Sequence, residues 1–166
     1  MTDGKVKFDI TAYKPFKLAL RIPDWCNKFE INKEYKLING YAYIDITNST
    51  SISIKFNIVP KLIKCSSLVR ANIGKAAVIR GPIVYCAEEI DNCESLQLLL
   101  IDKNSKLSVN NDLSITVNGY KEIVNSKLYY DYKECELENY KITLIPYYKS
   151  CNRGENEMSV YLRIKE

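Results

Sequence analysis

Apolar and polar side chains alternate, position by position, along much of this chain. The apolar members of the alternating segments are Val6, Phe8, Ile10, Phe16, Leu18, Leu20, Ile22, Ile44, Ile46, Ile52, Ile54, Phe56, Ile58, Ile115, Val117, Tyr140, Ile142, Leu144, Met158, Val160, Leu162 and Ile164. A period of two is typical of β-strands that bury one face. The pattern predicts roughly ten strands and little helix, because no amphipathic helical pattern exceeds two turns.

Turn-forming residues separate these segments. They are Asn39 with Gly40, residues 48–50, 103–105 and 110–112, and Asn118 with Gly119. Short strands divided by such turns are typical of antiparallel β-sandwich and jelly-roll modules. The predicted fold class is therefore all-β, built from antiparallel β-sandwich or jelly-roll modules.

Two segments depart from the alternation. Residues 76–87 are apolar runs on either side of Arg80, Gly81 and Pro82, which predicts a central strand pair, buried on both faces and kinked at Gly81. Residues 120–139 mix Lys, Glu and Tyr without a clear period, which is compatible with a short helix.

The chain is predicted to contain two modules, a partial β-sandwich over residues 1–60 and a C-terminal β-sandwich over residues 61–166. Pro60 is interpreted as closing a strand over residues 51–59, and a less periodic stretch follows it. The first module has about five predicted strands, where a free-standing sandwich usually has seven. We therefore expect the first module to pack against the second module or to pair with another chain through an exposed strand edge.

Composition narrows the possible chemistry. The 166 residues include no histidine, which excludes Ser-His-Asp and Cys-His hydrolysis and imidazole metal sites. The net charge of +4 divides unevenly, with 14 basic and 6 acidic residues in 1–80 (+8) and 10 basic and 14 acidic residues in 81–166 (−4). A nucleic-acid-binding protein usually concentrates its positive charge on one face, so nucleic acid is not an expected partner.

The six cysteines are interpreted as free thiols. Cys26, Cys65, Cys86, Cys93, Cys135 and Cys151 are widely scattered, and no two of them have the C-x2-C spacing of a zinc site. No metal or other cofactor is predicted. The chain shows neither a signal-peptide pattern nor an apolar run of about 20 residues, so we expect a cytoplasmic protein with no membrane partner.

Three ordered segments are more specific than strand formation requires. They read LRIPDW over residues 20–25, IRGPIVYCAE over residues 79–88 and IPYYKSCNRGENEM over residues 145–158. In this order they resemble the C-terminal half of glycoside hydrolase family 127, which includes β-L-arabinofuranosidases and was long catalogued as a domain of unknown function. That region of the family typically reads LRIPxW, an NG hairpin, RGPLVYCLE and IPYYxWxNRxPGEM, and the resemblance spans nearly the whole chain.

The resemblance implies a β-sandwich region that carries no catalysis. In the family, an N-terminal α/α barrel supplies a zinc-bound cysteine nucleophile and a glutamate acid/base, and none of that barrel is matched here. No catalytic or metal role therefore transfers to any residue of this chain. The chain departs from the family pattern at residues 48–50, where a Trp-x-x-Gly-Asp turn is usual, and at Ser150 and Cys151, where an aromatic and a small residue are usual.

The carboxylates are interpreted without reference to the family. Glycoside hydrolysis needs two carboxyl groups at a defined separation in a cleft, and the candidates are Glu88, Glu89, Asp91, Glu94, Glu155 and Glu157. Acidic residues that follow a strand are usually solvated, and Glu155 is expected to pair with Arg153 within its own turn. We assign none of them a catalytic role, and Cys86, in an apolar strand, is interpreted as an inert packing residue.

Contacts with a ligand or partner are the remaining prediction, and their candidates are Trp25, Tyr147, Tyr148 and Arg153. Aromatic faces stack on sugar rings, but the favoured interpretation of Trp25 is that it caps a sandwich edge after Pro23. If residues 147 and 148 continue a strand, their side chains point to opposite faces. Aromatic residues and Arg are enriched at the cores of interfaces, so we expect residues 145–158 to mark a contact surface.

Two functions remain open. The first is a non-catalytic portion of a family-127-like glycoside hydrolase, which scaffolds the catalytic barrel or mediates subunit contact, including self-association. The alternative is a free-standing carbohydrate-binding module.

Overall fold

The computed structural model describes residues 3–165 and confirms the all-β class. Fifteen strands lie within the described residues, more than the pattern predicts, because strands of two or three residues are too short to show an alternation. Contacts divide the chain into two compact units, Met1–Val59 and Pro60–Glu166.

The first unit contains β1 (Lys5–Ile10), β2 (Phe16–Arg21), β3 (Phe29–Ile31), β4 (Lys36–Ile38), β5 (Tyr41–Ile46) and β6 (Thr50–Phe56). These strands form two three-stranded antiparallel sheets, β1-β6-β3 and β2-β5-β4. Alternate residues of the central strands are buried, including Ala42 and Ile44 of β5 and Ile52 and Ile54 of β6. Side chains from both sheets share the same apolar clusters, so the two sheets pack against each other.

Asn39 and Gly40 form the predicted turn between β4 and β5. Their φ angles are 49° and 77°, which is the left-handed backbone that a two-residue hairpin turn requires at both positions. This prediction is confirmed.

The second unit contains β7 (Pro60–Ile63), β8 (Lys75–Arg80), β9 (Ile83–Glu88), β10 (Leu99–Asp102), β11 (Ser108–Val109), β12 (Ile115–Glu122), β13 (Leu137–Pro146), β14 (Met158–Ser159) and β15 (Leu162–Lys165). Six of them close into a ring in the order β8-β9-β13-β12-β10-β15, and β7, β11 and β14 pair with its members from outside. The alternation of apolar residues does not predict this barrel. The prediction of a purely antiparallel arrangement is wrong in one place, since β10 and β15 pair in parallel.

The barrel encloses an apolar core. Its fully or nearly fully buried members are Val78, Tyr85, Ala87, Leu96, Leu99, Ile101, Ile115, Val117, Ile142, Leu144 and Leu162. Short 3-10 turns occur at Arg70–Asn72, Glu89–Asp91, Leu96–Leu98, Tyr132–Glu134 and Tyr147–Lys149. None of the helical turns in residues 3–165 is long and apolar enough to cross a membrane.

Two local predictions in this unit are wrong. Asn118 and Gly119 do not form a turn but lie inside β12, where a Cβ atom on Gly119 would stand 2.2 Å from the Leu100 carbonyl oxygen of β10. The glycine is thus explained by close approach of two strands. Pro60 does not close the preceding strand, which ends at Phe56; it begins β7, an outer strand where its missing N–H is tolerated.

Candidate functional site

The outer face of β9 carries two buried residues of a chemically active type. Tyr85 and Ala87 point into the barrel core, so the alternation of a strand places Cys86 and Glu88 on the opposite face. Both are nevertheless 0% exposed. They are buried because residues 147–157, here called the covering loop, lie over them.

The covering loop crosses β9 from one neighbouring strand to another. It leaves β13, whose last residues pair with Tyr85 and Cys86, and it enters β14, whose Met158 pairs with Glu88. The loop begins with the 3-10 turn Tyr147–Lys149, because Pro146 ends β13. The backbone of Cys151 then adopts the left-handed region with φ 61°.

A group of three charged side chains holds this loop to β9. Glu88 Oε1 accepts hydrogen bonds from the Ser150 hydroxyl at 2.9 Å and from the Cys151 N–H at 2.7 Å, and Glu88 Oε2 accepts one from Arg153. The guanidinium of Arg153 also binds both oxygens of Asp91, with Nη1 to Oδ1 at 2.8 Å. We call this group the Glu88–Asp91–Arg153 clamp.

Electrostatics keep Glu88 ionised within the clamp. Burial by itself raises the pKa of this carboxyl, but the hydrogen bonds from Cys151, Arg153 and Ser150 outweigh it and hold the pKa below its ordinary value. The carboxylates of Asp91 and Glu88 in turn raise the pKa of Arg153. An ionised carboxylate with three donors has no proton to give, so Glu88 is suited to holding the loop and not to general acid catalysis.

Cys86 is equally unsuited to act as a nucleophile at neutral pH. Burial raises the pKa of its thiol to about 11, and only a thiolate is an effective nucleophile. This agrees with the interpretation of Cys86 as a packing residue. Among the described residues, no three Cys, Asp or Glu side chains are grouped so as to hold a metal ion.

Tyr147 and Tyr148 both face solvent. Their exposed fractions are 51% and 60%. Opposite faces are expected only if the strand continues through these residues, and it does not, because both belong to the 3-10 turn after Pro146. Lys149 holds that turn to the neighbouring loop by donating to the Asp112 carbonyl oxygen at 2.9 Å. The covering loop thus presents two aromatic side chains from an anchored backbone.

Arg153 has different partners from the one predicted. Its ion pairs are with Glu88 and Asp91, 65 and 62 residues away, and not with Glu155 in its own turn. Glu88 is buried and not solvated as expected, because three donors of the covering loop replace water around its carboxylate. Two sequence features indicate this pairing. The alternation along β9 places Glu88 on the face opposite Tyr85, and the segment over residues 145–158 contains an arginine.

Trp25 belongs to the first unit, whereas Tyr147, Tyr148 and Arg153 all lie on the covering loop of the second. Trp25 lies within a tight turn, in which the Cys26 N–H donates to the Pro23 carbonyl oxygen at 2.9 Å. Its ring stands edge-on to Phe56 with 5.8 Å between ring centroids, and the residue is half-buried. Packing thus explains one side of Trp25 and leaves the other accessible.

Comparisons with known proteins agree on one family. Residues 60–163 match the model of the glycoside hydrolase family 127 C-terminal domain. A non-reducing end β-L-arabinofuranosidase from Bifidobacterium longum is 27% identical over 97% of this chain, which corresponds to 29% of that enzyme.

Solved structures give the same result. A GH127 β-L-arabinofuranosidase from Geobacillus stearothermophilus T6 is 34% identical, with a TM-score of 0.88 over 98% of this chain and 29% of its own. A second GH127 β-arabinofuranosidase is 27% identical, with a TM-score of 0.82 over 98% of this chain and 30% of its own. The chain spans less than a third of the length of each of these relatives.

Proposed function

Since the chain belongs to glycoside hydrolase family 127, in which it corresponds to the non-catalytic C-terminal portion, we propose that it scaffolds the catalytic domain of a β-L-arabinofuranosidase-like enzyme. The covering loop is the proposed contact surface. The observation that carries this proposal is the pair of exposed tyrosines, Tyr147 and Tyr148, on a backbone fastened by the clamp.

The surface suits a protein partner. Two aromatic side chains on an ordered backbone lose little conformational freedom on binding, and aromatic residues concentrate binding energy at interfaces. The side chain of Arg153 remains 41% exposed while it is paired to Glu88, so it can lie at the edge of such a contact. We assign the catalytic domain as the partner that binds this surface, because about 70% of each matched relative lies outside the region matched here.

A chimeric enzyme tests this proposal. This chain replaces the corresponding 29% of the Geobacillus relative, and hydrolysis of an aryl arabinofuranoside and the temperature of half-inactivation are measured. The double variant Tyr147→Ala/Tyr148→Ala should lower both. Tyr129→Ala is the matched control, because this tyrosine is 88% exposed in the same unit.

Equal behaviour of the double variant and the control would contradict the contact role. Sedimentation of the isolated chain tests whether the surface instead binds a second copy of the chain. A dimer that dissociates in the double variant would assign the surface to that second copy.

Carbohydrate binding is the second candidate function. It is favoured by an open cleft of about 580 Å³ on the first unit, whose lining includes Phe29, Phe56, Asn27 and Asn57. Aromatic rings and amides are the groups that contact the faces and hydroxyls of sugars, and Trp25 packs on Phe56 beside this cleft. Titration with arabinose-containing oligosaccharides should show binding that Trp25→Ala abolishes and Tyr13→Ala leaves unchanged; absence of binding would remove this candidate.

The domain description is also part of the proposal. We propose that residues 1–60 are a partial β-sandwich equivalent to a middle domain and that residues 61–166 are the C-terminal β-sandwich or jelly-roll domain. Two facing three-stranded sheets support the first assignment, and the paired strands outside the barrel support a layered second domain. A cytoplasmic location is proposed as well, supported by six cysteines that carry free thiols.

A further inference from the structure

A cleft of about 280 Å³ lies on the second unit, at the edge where four neighbouring strands end or begin. These strands are β10, β15, β8 and β7, which pair in that order. At this edge β7, β10 and β15 end at Ile63, Asp102 and Lys165, and the antiparallel β8 begins at Lys75. The strand pairing thus brings residues that are far apart in the sequence to one cleft.

Apolar side chains form one part of this cleft. Leu62 and Ile164 line it and also pack against the barrel core. Gly74 and Ala76 are small and leave the space open, since a Cβ atom built on Gly74 would meet no atom within 4 Å. The Gly74 carbonyl oxygen accepts a hydrogen bond from the Ile164 N–H at 2.9 Å, which holds β15 to the start of β8. The cleft therefore presents accessible apolar surface on a backbone that is hydrogen-bonded in place.

Three lysines form the other part of the lining, namely Lys64, Lys75 and Lys103. Lys64 and Lys103 are exposed and Lys75 is half-buried. Within residues 3–165, no ion pair includes any of the three. Lysine stems can cover apolar surface while their ammonium groups stay in water. We call this combination of apolar and basic side chains the lysine cleft.

The charge of the lysine cleft is one-sided. A larger cleft on the first unit contains Lys28 and Lys55 but also Asp3 and Glu30, so its opposite charges offset each other. Among the described residues, no acidic side chain lines the lysine cleft. Charge complementarity therefore favours an anion there.

We propose that the lysine cleft binds a small amphiphilic carboxylate, such as the anion of a short fatty acid. The hydrocarbon chain covers the apolar part of the lining, and the carboxylate contacts the lysine ammonium groups. Pockets for small molecules usually measure about 300–1,000 Å³ and combine apolar walls with a few polar groups. The lysine cleft is at the lower end of this range, which limits the hydrocarbon chain to a short one.

The two parts of the cleft predict two kinds of selectivity. Charge-assisted hydrogen bonds are stronger than neutral ones, so a carboxylate should bind more tightly than an alcohol of the same chain length. Burial of each additional methylene group should tighten binding about threefold until the cleft is filled. Because the ammonium groups contact solvent, binding should weaken as the salt concentration rises.

Titration followed by NMR tests the proposal on the full chain, with each ligand kept below the concentration at which it forms micelles. Octanoate should shift the amide signals of Gly74, Ala76 and Ile164 in a saturable way. Butanoate and octanol should each bind at least tenfold more weakly, and octylammonium should bind more weakly than octanol.

A triple variant tests the role of the lysines. Lys64→Gln/Lys75→Gln/Lys103→Gln changes solvent-contacting side chains and keeps the apolar lining, and unchanged amide signals in the rest of the chain verify that it folds. It should lower the affinity for octanoate at least tenfold and leave the weak binding of octanol unchanged.

The matched control alters three exposed lysines elsewhere in the second unit, Lys106→Gln/Lys133→Gln/Lys141→Gln. Both triple variants lower the net charge by the same three units, from +4 to +1, and the control should retain the affinity of the parent chain. Equal weakening by the two variants would overturn the proposal, because net charge alone would then explain it. The absence of saturable shifts with octanoate, or equal affinities for octanoate and octanol, would overturn it as well.

Discussion

Two long surface loops of the second unit are held in place by different means. The covering loop is attached to a carboxylate that is 0% exposed, through Arg153 and two further donors. The loop between β12 and β13, residues 123–136, is closed by the Lys127–Glu134 ion pair at 3.2 Å, whose side chains are 64% and 47% exposed.

The comparison shows that an ion pair's contribution depends on what surrounds it. In water, the Lys127–Glu134 pair competes with hydration, and such pairs contribute about 0–1 kcal/mol. At Glu88, removal of one partner leaves buried groups without hydrogen bonds, which costs several times more. Large apolar residues are exposed on both loops. The second loop has a partly buried anchor, because the Tyr130 hydroxyl donates to Glu122, whose side chain is 17% exposed. The covering loop is instead attached to a fully buried carboxylate.

The largest expected effect is that of Glu88→Gln. The amide keeps the shape of the side chain but removes the charge that accepts from Ser150, Cys151 and Arg153. We expect a loss of about 2–3 kcal/mol in the free energy of unfolding, because these donors lose a charged acceptor. Urea denaturation measures the loss, and a change below about 0.5 kcal/mol would mean that the clamp does not contribute to stability.

Arg153→Lys should have a smaller effect. Lysine keeps the positive charge but cannot bind both oxygens of Asp91 while it contacts Glu88. We expect a loss of about 1–2 kcal/mol, since the side chain is partly solvated. The control is Arg70→Lys, an exposed arginine of the same unit, which should be neutral in the same denaturation experiment.

Acidification should reduce the difference between the parent chain and Glu88→Gln. The pKa of Glu88 is held below its ordinary value in the folded state, so the stability that it contributes is present above the unfolded-state pKa of about 4.5 and is lost as the pH falls through the folded-state pKa. The gap in unfolding free energy should therefore be constant near neutral pH and narrow below about pH 4.5. A gap that widens on acidification would mean that folding does not lower this pKa.

Glu134→Gln should have the smallest effect. It removes the exposed ion pair with Lys127, so we expect a change within about 0.5 kcal/mol. Raising the salt concentration should leave this variant and the parent chain equally stable. A loss comparable with that of Glu88→Gln would show that burial does not distinguish the two loops.

Local sequence patterns predicted much of the fold. The alternation of apolar residues located the longer strands, and Asn39 with Gly40 predicted a turn that the backbone dihedrals confirm. The same type of dipeptide at Asn118 and Gly119 predicted a turn wrongly, because the glycine there accommodates the neighbouring strand β10. A dipeptide signal does not show whether a glycine serves the backbone angle or the space around it.

Those patterns do not predict which strands pair when they lie far apart in the sequence. The closure of the barrel depends on β9 pairing with β13 and on β10 pairing in parallel with β15, and each of these pairs joins residues about 60 positions apart. The clamp likewise joins Glu88 to Arg153, and each residue alone is compatible with a solvated position. The contact role of Tyr147, Tyr148 and Arg153 stays a prediction, although the exposure of the two tyrosines favours it.

Amide hydrogen exchange at Cys151 tests most directly whether Glu88 holds the covering loop. The Cys151 N–H donates to Glu88 Oε1 at 2.7 Å, whereas the Ile123 N–H of the other loop donates to the Glu136 carbonyl oxygen at 2.9 Å. Exchange is measured by NMR under native conditions for the parent chain and for Glu88→Gln. The predicted result is that the variant loses protection at Cys151 by at least about tenfold more than at Ile123; equal changes at both amides would contradict the account.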